Sequence, residues 1–165
     1  MSQQLLEILL PARARLRDED VYIELENGVR QLNISLSDRK KIMVIAMELF
    51  LNMKEHGFTE RLSLLRIHDV AGKDFQISSL NFASPAETLR LSGKYNQLTR
   101  VGDYRKNFRD KLAAKNFTDE PAGNLGLDIC FRNSTRNNLR LYPVSDELNL
   151  FFLSFSLHNH GKSAA

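Results

Sequence analysis

One long helical segment, running from about Asp38 to His56, does most to limit what this chain can become. Ser37 or Asp38 is placed to cap its start, and Gly57 to stop it. At about 100° per residue, Ile42, Ala46, Leu49 and Met53 fall within roughly 60° of one another, a stripe that must be buried against another layer. Glu48, Asn52 and His56 follow one another one turn apart on an adjoining face. Glu48 and Asn52 lie at the border of the stripe, about 120° and 80° from its centre, and so look into the edge of a cleft. A carboxylate and a carboxamide with this spacing can polarise a hydroxyl and complete the shell of a Mg²⁺ ion. The same pair also occurs on many solvated helix faces, so the spacing alone leaves both readings open.

The rest of the chain supplies a sheet for that helix to cover. Residues 3 to 17 read as a short amphipathic helix interrupted by Pro11, and Val21 to Leu25 as a strand closed by the Asn27-Gly28 turn signal. Residues 61–68 and 74–82 form a hairpin around Ala71-Gly72-Lys73, its second arm alternating Phe75, Ile77 and Ser79 against Gln76 and Ser78. Ser84-Pro85 opens a helix reaching about Leu98, and Gly102-Asp103 opens another ending near Asn116. Asn116 to Asn124 is loop, and Leu125 to Asn133 a short helix. Segments 138–144 and 147–157 make a closing hairpin, whose last strand is apolar on both faces and so belongs inside the sheet. The sum is an α+β two-layer sandwich, a mostly antiparallel sheet with helices on one face, in one domain over 1–165 with a core at about 20–158 and a flexible tail from 159.

Composition narrows the function classes. With 165 residues, 42% of them apolar, one sizeable core is affordable. The 23 basic and 20 acidic residues are interspersed, a balance that suits a polyanionic ligand or an acidic partner without requiring nucleic acid. The basic run Arg105 to Lys111 spreads round a helix and is broken by Asp110, as a solvated face would be. Cys130, flanked by Ile129 and Phe131, reads as a core thiol, and no Cys/His spacing fits zinc. There is no membrane-length apolar run and no signal-peptide pattern, so a cytoplasmic location is the expectation.

A second motif, Ala122-Gly123-Asn124-Leu125-Gly126-Leu127-Asp128-Ile129, is a small-residue loop running directly into a helix. Glycines allow close approach of the backbone to a phosphate, and free amides at a helix start attract its charge. Taken in order, the Glu48-x-x-x-Asn52-x-x-x-His56-Gly57-Phe58 helix, the sheet, this loop and the closing hairpin resemble the GHKL ATP-binding fold, which includes histidine kinases and anti-sigma-factor kinases. Within it, the chain resembles the SiaB-type protein kinases of bacterial signalling over about residues 20–158. Three stretches carry this likeness: Arg39 to His56 as the N-box helix, Asp74 to Asn81 as a strand ending in a small-residue turn, and Asn124 to Ser134.

The resemblance implies a Mg²⁺- and ATP-dependent serine/threonine kinase acting on a small regulatory protein, anti-anti-sigma-like or SiaC-like. Glu48 would be the base or orient it, and Asn52 would bind Mg²⁺ between the phosphates. His56 would lie near the phosphates or else cap its own helix; Asn81 would bond the adenine or hold the turn beneath it. Gly123, Asn124 and Gly126 would form the phosphate-facing loop. No nucleic-acid or membrane partner is implied, and a homodimer would match related anti-sigma-factor kinases. Two departures stand against activity. The D-x-G-x-G adenine signature is absent, with Asp69-Val70-Ala71-Gly72 the one partial substitute, and two glycines of the phosphate loop are replaced by Ala122 and Asn124. A catalytically silent module that binds and sequesters its partner is therefore the alternative.

Overall fold

The computed structural model describes residues 5–10, 17–57, 61–114 and 125–158. In chain order these form β1 (Leu5–Leu10), α1 (Asp18–Arg30), α2 (Leu36–His56), β2 (Ser63–Val70), β3 (Asp74–Ala83), α3 (Pro85–Thr99), α4 (Tyr104–Ala114), α5 (Gly126–Asn133), β4 (Arg136–Ser145) and β5 (Leu148–His158). The five strands make one sheet in the order β1-β2-β3-β5-β4, every neighbouring pair antiparallel. The expected α+β two-layer architecture is the one observed.

The registers place Leu65, Ile67, Phe75, Ile77, Leu153, Phe155 and Leu157 on one face, all buried. That face joins Ile42, Ile45, Ala46, Leu49 and Met53 of α2 in a single core, so the stripe expected from the sequence is the buried side of the helix. β5 pairs with β3 on one side and β4 on the other, the interior position its apolarity called for. Phe131 of α5 ties the far end together: its ring lies 5.3 Å from Tyr95 (α3), 5.3 Å from Tyr104 (α4) and 5.6 Å from Phe155 (β5). Cys130 is fully buried in the same core.

Three expectations are corrected. Val21 to Leu25 is helix, not strand. Val21, Leu25 and Val29 are buried at intervals of one turn while Tyr22 and Ile23 face outward. Asp18, Glu19 and Asp20 in the first turn favour the positive end of a helix dipole. The Asn27-Gly28 pair continues this helix instead of turning; a Cβ on Gly28 would lie 2.5 Å from Leu6, so glycine lets β1 pack against α1. The N-terminal amphipathic helix is replaced, where described, by β1, because Leu6 and Ile8 pair with Ile67 and Leu65 in the sheet. Pro11 and residues 12–16 lie outside the described residues. Finally, Ser35 caps α2, not Ser37 or Asp38: its Oγ accepts from the Asp38 amide at 3.0 Å and donates to the Asp38 carboxylate at 2.7 Å.

Candidate functional site

The polar border of α2 faces the start of α5. Glu48 is half-buried there, and burial, with the Glu55 charge adding to it, raises its carboxyl above the ordinary carboxylate value while Lys94 opposes the shift. One turn on, Asn52 donates from Nδ2 to the Glu48 backbone oxygen at 2.8 Å, which leaves the acceptor Oδ1 of the amide for another partner. Gly126, the first residue of α5, lies directly against both. A Cβ there would overlap Glu48 Oε2 and lie 3.8 Å from Asn52 Nδ2. Three residues singled out from two distant motifs are therefore in contact, and the missing side chain of Gly126 makes room for the contact.

His56 stands at the other end of the same face, about 12 Å along the helix from Glu48. Its Nδ1 is 3.2 Å from Glu87 of α3 and its Nε2 is 3.5 Å from Glu55. These carboxylates favour the charged ring, but burial and then Arg90 outweigh them and hold His56 below its ordinary 6.5, so it is neutral at pH 7. Asn81 is buried beside the end of α2, its Nδ2 3.4 Å from where a Gly57 Cβ would sit. Asn81 and His56 thus mark one end of the site and Glu48, Asn52 and Gly126 the other. The partial adenine signature lies elsewhere. Asp69 accepts from the Gly72 amide at 2.7 Å within the β2–β3 turn, where Ala71 and Gly72 have positive φ. Asp69 faces Phe75 across the ladder, about 20 Å along β3 from Asn81. Gly123, Asn124 and Ala122 lie outside the described residues, as does Phe58.

Beyond Gly126 the site continues into a charged cluster that no single motif pointed to. Asp128 of α5 is buried and accepts from Lys111 of α4 at 2.6 Å and from Asn107 at 3.3 Å. Lys94 of α3 feels both carboxylates: burial lowers its ammonium below the ordinary range, while Asp128 and Glu48 act to raise it. The run Arg105 to Lys111 is solvated at Arg105, Lys106 and Arg109, as expected, yet buries Phe108 and sends Lys111 to Asp128. Arg132 stacks over Phe108 at 4.3 Å and fastens α4 to α5 a second time. In the sequence Asp128 falls inside the 122–129 motif and Lys111 inside the basic run, but nothing there joins them to Lys94.

No protein-family model matches this chain, and no curated protein does. Among solved structures it is similar to a chain of the SiaB–SiaC complex from Pseudomonas aeruginosa, with a TM-score of 0.73 and 16% identity over 92% of this chain and 89% of that one. At that identity the likeness establishes the fold. No helix among the described residues is long and apolar enough to cross a membrane, and none of their His, Cys, Asp and Glu side chains gather in threes to hold a metal.

Proposed function

We propose that this protein is a Mg²⁺- and ATP-dependent serine/threonine kinase of the GHKL type whose substrate is a side chain on a small regulatory protein. The observation that carries the reading is the meeting of Glu48, Asn52 and Gly126 at the start of α5. Magnesium takes one or two protein oxygens and fills its remaining positions with phosphate and water, so it needs no preformed acidic cluster. The Asn52 Oδ1 fits that donor set, and Gly126 gives a backbone surface free of side chain beside it. Bound ATP–Mg²⁺ would supply a transferable phosphoryl group with its charge partly neutralised.

The residues do the rest. A carboxyl raised by burial is a better base near neutral pH than an exposed one. Glu48 would accept the proton of the incoming serine or threonine hydroxyl. Asn52 would hold the metal, and the amides at the start of α5 would bind the phosphates. His56, neutral and braced by Glu87, orients groups at the far end together with Asn81. The similar fold in a complex named for two proteins supports a protein partner for this chain, in partner-switching regulation. Phosphorylating that partner would add about −1.5 to −2 charge and switch its interface.

Calorimetry of ATP with Mg²⁺, comparing wild type with Asn52→Ala, tests this reading. Binding that disappears in the variant is expected; no binding by wild type at millimolar ATP would overturn it. A second reading, a silent module that sequesters its partner, is favoured by one specific feature. Gly126 closes against the Glu48 carboxylate, so that the start of α5 packs directly on that side chain. That module would hold its partner equally well with or without nucleotide and transfer no phosphate.

A further inference from the structure

Between α3 and α4 lies an open cleft of about 660 Å³, within the range of small-molecule sites. Arg90, Gly93 and Lys94 of α3 line one wall, Asn107 and Lys111 of α4 the other, and Leu98 adds an apolar surface. Among the described residues, three cations line this cleft and no carboxylate does. Each flanking cation is held from behind: Arg90 by Glu87 at 3.1 Å and Lys111 by the buried Asp128 at 2.6 Å. Asp128 keeps a second oxygen, Oδ2, that is buried without a hydrogen-bond partner. Lys111 is thus anchored by one carboxylate oxygen while its ammonium protons remain able to donate elsewhere. Cations fixed in this way around a concave surface concentrate anions from solution.

Gly93 is the second sign of a ligand. A helix interior disfavours glycine, yet α3 carries one at its middle with no positive φ to require it. A Cβ there would meet nothing within 4 Å among the described residues, so none of them excludes a side chain. The one consequence of glycine at 93 is that the cleft wall stays bare and its backbone approachable. Stability has been given up there without any return inside the fold.

We propose that the α3–α4 cleft binds the phosphate groups of a phosphorylated small molecule, with Arg90, Lys94 and Lys111 as its cationic clamp and Gly93 as the opening that admits it. The cleft motivates this independently of the kinase reading. Its phosphate could belong to the nucleotide proposed above or to a separate phosphorylated metabolite, since the recognising chemistry is the same.

Inorganic tripolyphosphate, titrated by calorimetry without Mg²⁺, is the probe. Wild type should bind it at millimolar concentration or below, and Lys94→Gln and Lys111→Gln should each weaken binding tenfold or more. Gly93→Leu should weaken it comparably while raising the thermal midpoint by about 2–4 °C, which separates a blocked site from a damaged fold. Arg105→Gln, on the solvated face of α4, should leave binding unchanged. No binding, or equal loss in Arg105→Gln and Lys94→Gln, overturns the proposal by making the interaction general surface charge. Where the site stands, displacement of tripolyphosphate by ATP–Mg²⁺ assigns the cleft to the nucleotide's own phosphates. Simultaneous binding of both assigns it to a separate ligand. Asn52→Ala keeps the two readings apart, because tripolyphosphate binding in the cleft does not use Asn52.

Discussion

At the scale of single residues, the roles proposed for Glu48 and Gly126 would trade stability for chemistry. The Glu48 carboxyl titrates above its ordinary 4.5 because burial and Glu55 disfavour its charge. The folded state therefore binds the proton more tightly than the unfolded one, and stability falls as pH rises from the unfolded value through the folded one. Glu48→Gln should raise the thermal midpoint at pH 7 and leave it nearly unchanged at pH 4. The same substitution should lower phosphotransfer by about 10²–10⁴ while ATP still binds. A variant less stable than wild type at pH 7 would show that the carboxylate is held favourably and would remove the rationale for a raised base. Gly126→Ala acts on the same atom from the other side. Its methyl group would displace Glu48 Oε2, and because that oxygen ends a flexible side chain the fold should lose only about 1 kcal/mol or less. Activity should fall far more than stability. Equal activity in the two proteins would mean that Glu48 needs no fixed position.

At the scale of elements, α2 is the scaffold on which the site depends, and its start is fixed by Ser35. The hydroxyl accepts from the Asp38 amide and donates to a carboxylate that is buried and also lies 3.4 Å from Lys41. Ser35→Ala should cost about 1 kcal/mol, a fall of about 2–4 °C in the thermal midpoint, with Ser35→Thr less harmful than Ser35→Ala because its hydroxyl can still accept from the amide and donate to the carboxylate. Equal melting of wild type and Ser35→Ala would show that α2 is held by its core stripe alone. That stripe was legible beforehand, since Ile42, Ala46, Leu49 and Met53 repeat with the period of a helix over about three turns. The hairpins were legible from Ala71-Gly72 and Ser145-Asp146, and α3 from Ser84-Pro85. The sequence before Ser35 misled for a physical reason. Val21 to Leu25 carries β-branched and aromatic residues, yet only Val21 and Leu25 are buried there, and two buried positions four apart suit a helix. Leu6 and Ile8 show the converse: a segment with helical amphipathicity is pulled into the sheet by its pairing with β2. Within the site, Glu48, Asn52 and Gly126 could be found because each sits in a short patterned motif. The cluster of Lys94, Asp128 and Lys111 could not, although Asp128 lies in the same motif as Gly126, because three separate helices bring the charges together and no local spacing records that.

At the scale of the whole molecule, the question is what holds α3, α4 and α5 in the positions that bring those charges together. Phe131 is the common contact, with Tyr95, Tyr104 and Phe155 packed edge-on or tilted around a ring that is 1% exposed. The polar ties alone are weaker: a Lys111–Asp128 pair open to solvent on the lysine side, and an Arg132–Phe108 stack at the surface. Removing the ring should therefore loosen all three helices together. Phe131→Ala should cost about 3–5 kcal/mol, a large share of the roughly 5–15 kcal/mol that stabilises a domain of this kind. Phe131→Leu should recover most of the transfer energy but not the aromatic geometry. Urea titrations of the two variants measure both effects. The Ala variant should unfold at much lower urea with an unchanged slope, and the charged cluster should lose its anion affinity in proportion to the helices' loosening. If Phe131→Ala cost less than 1 kcal/mol, the three helices would be held by the sheet alone. The arrangement of Lys94, Asp128 and Lys111 would then be independent of the core, and the link drawn here between packing and site would be wrong.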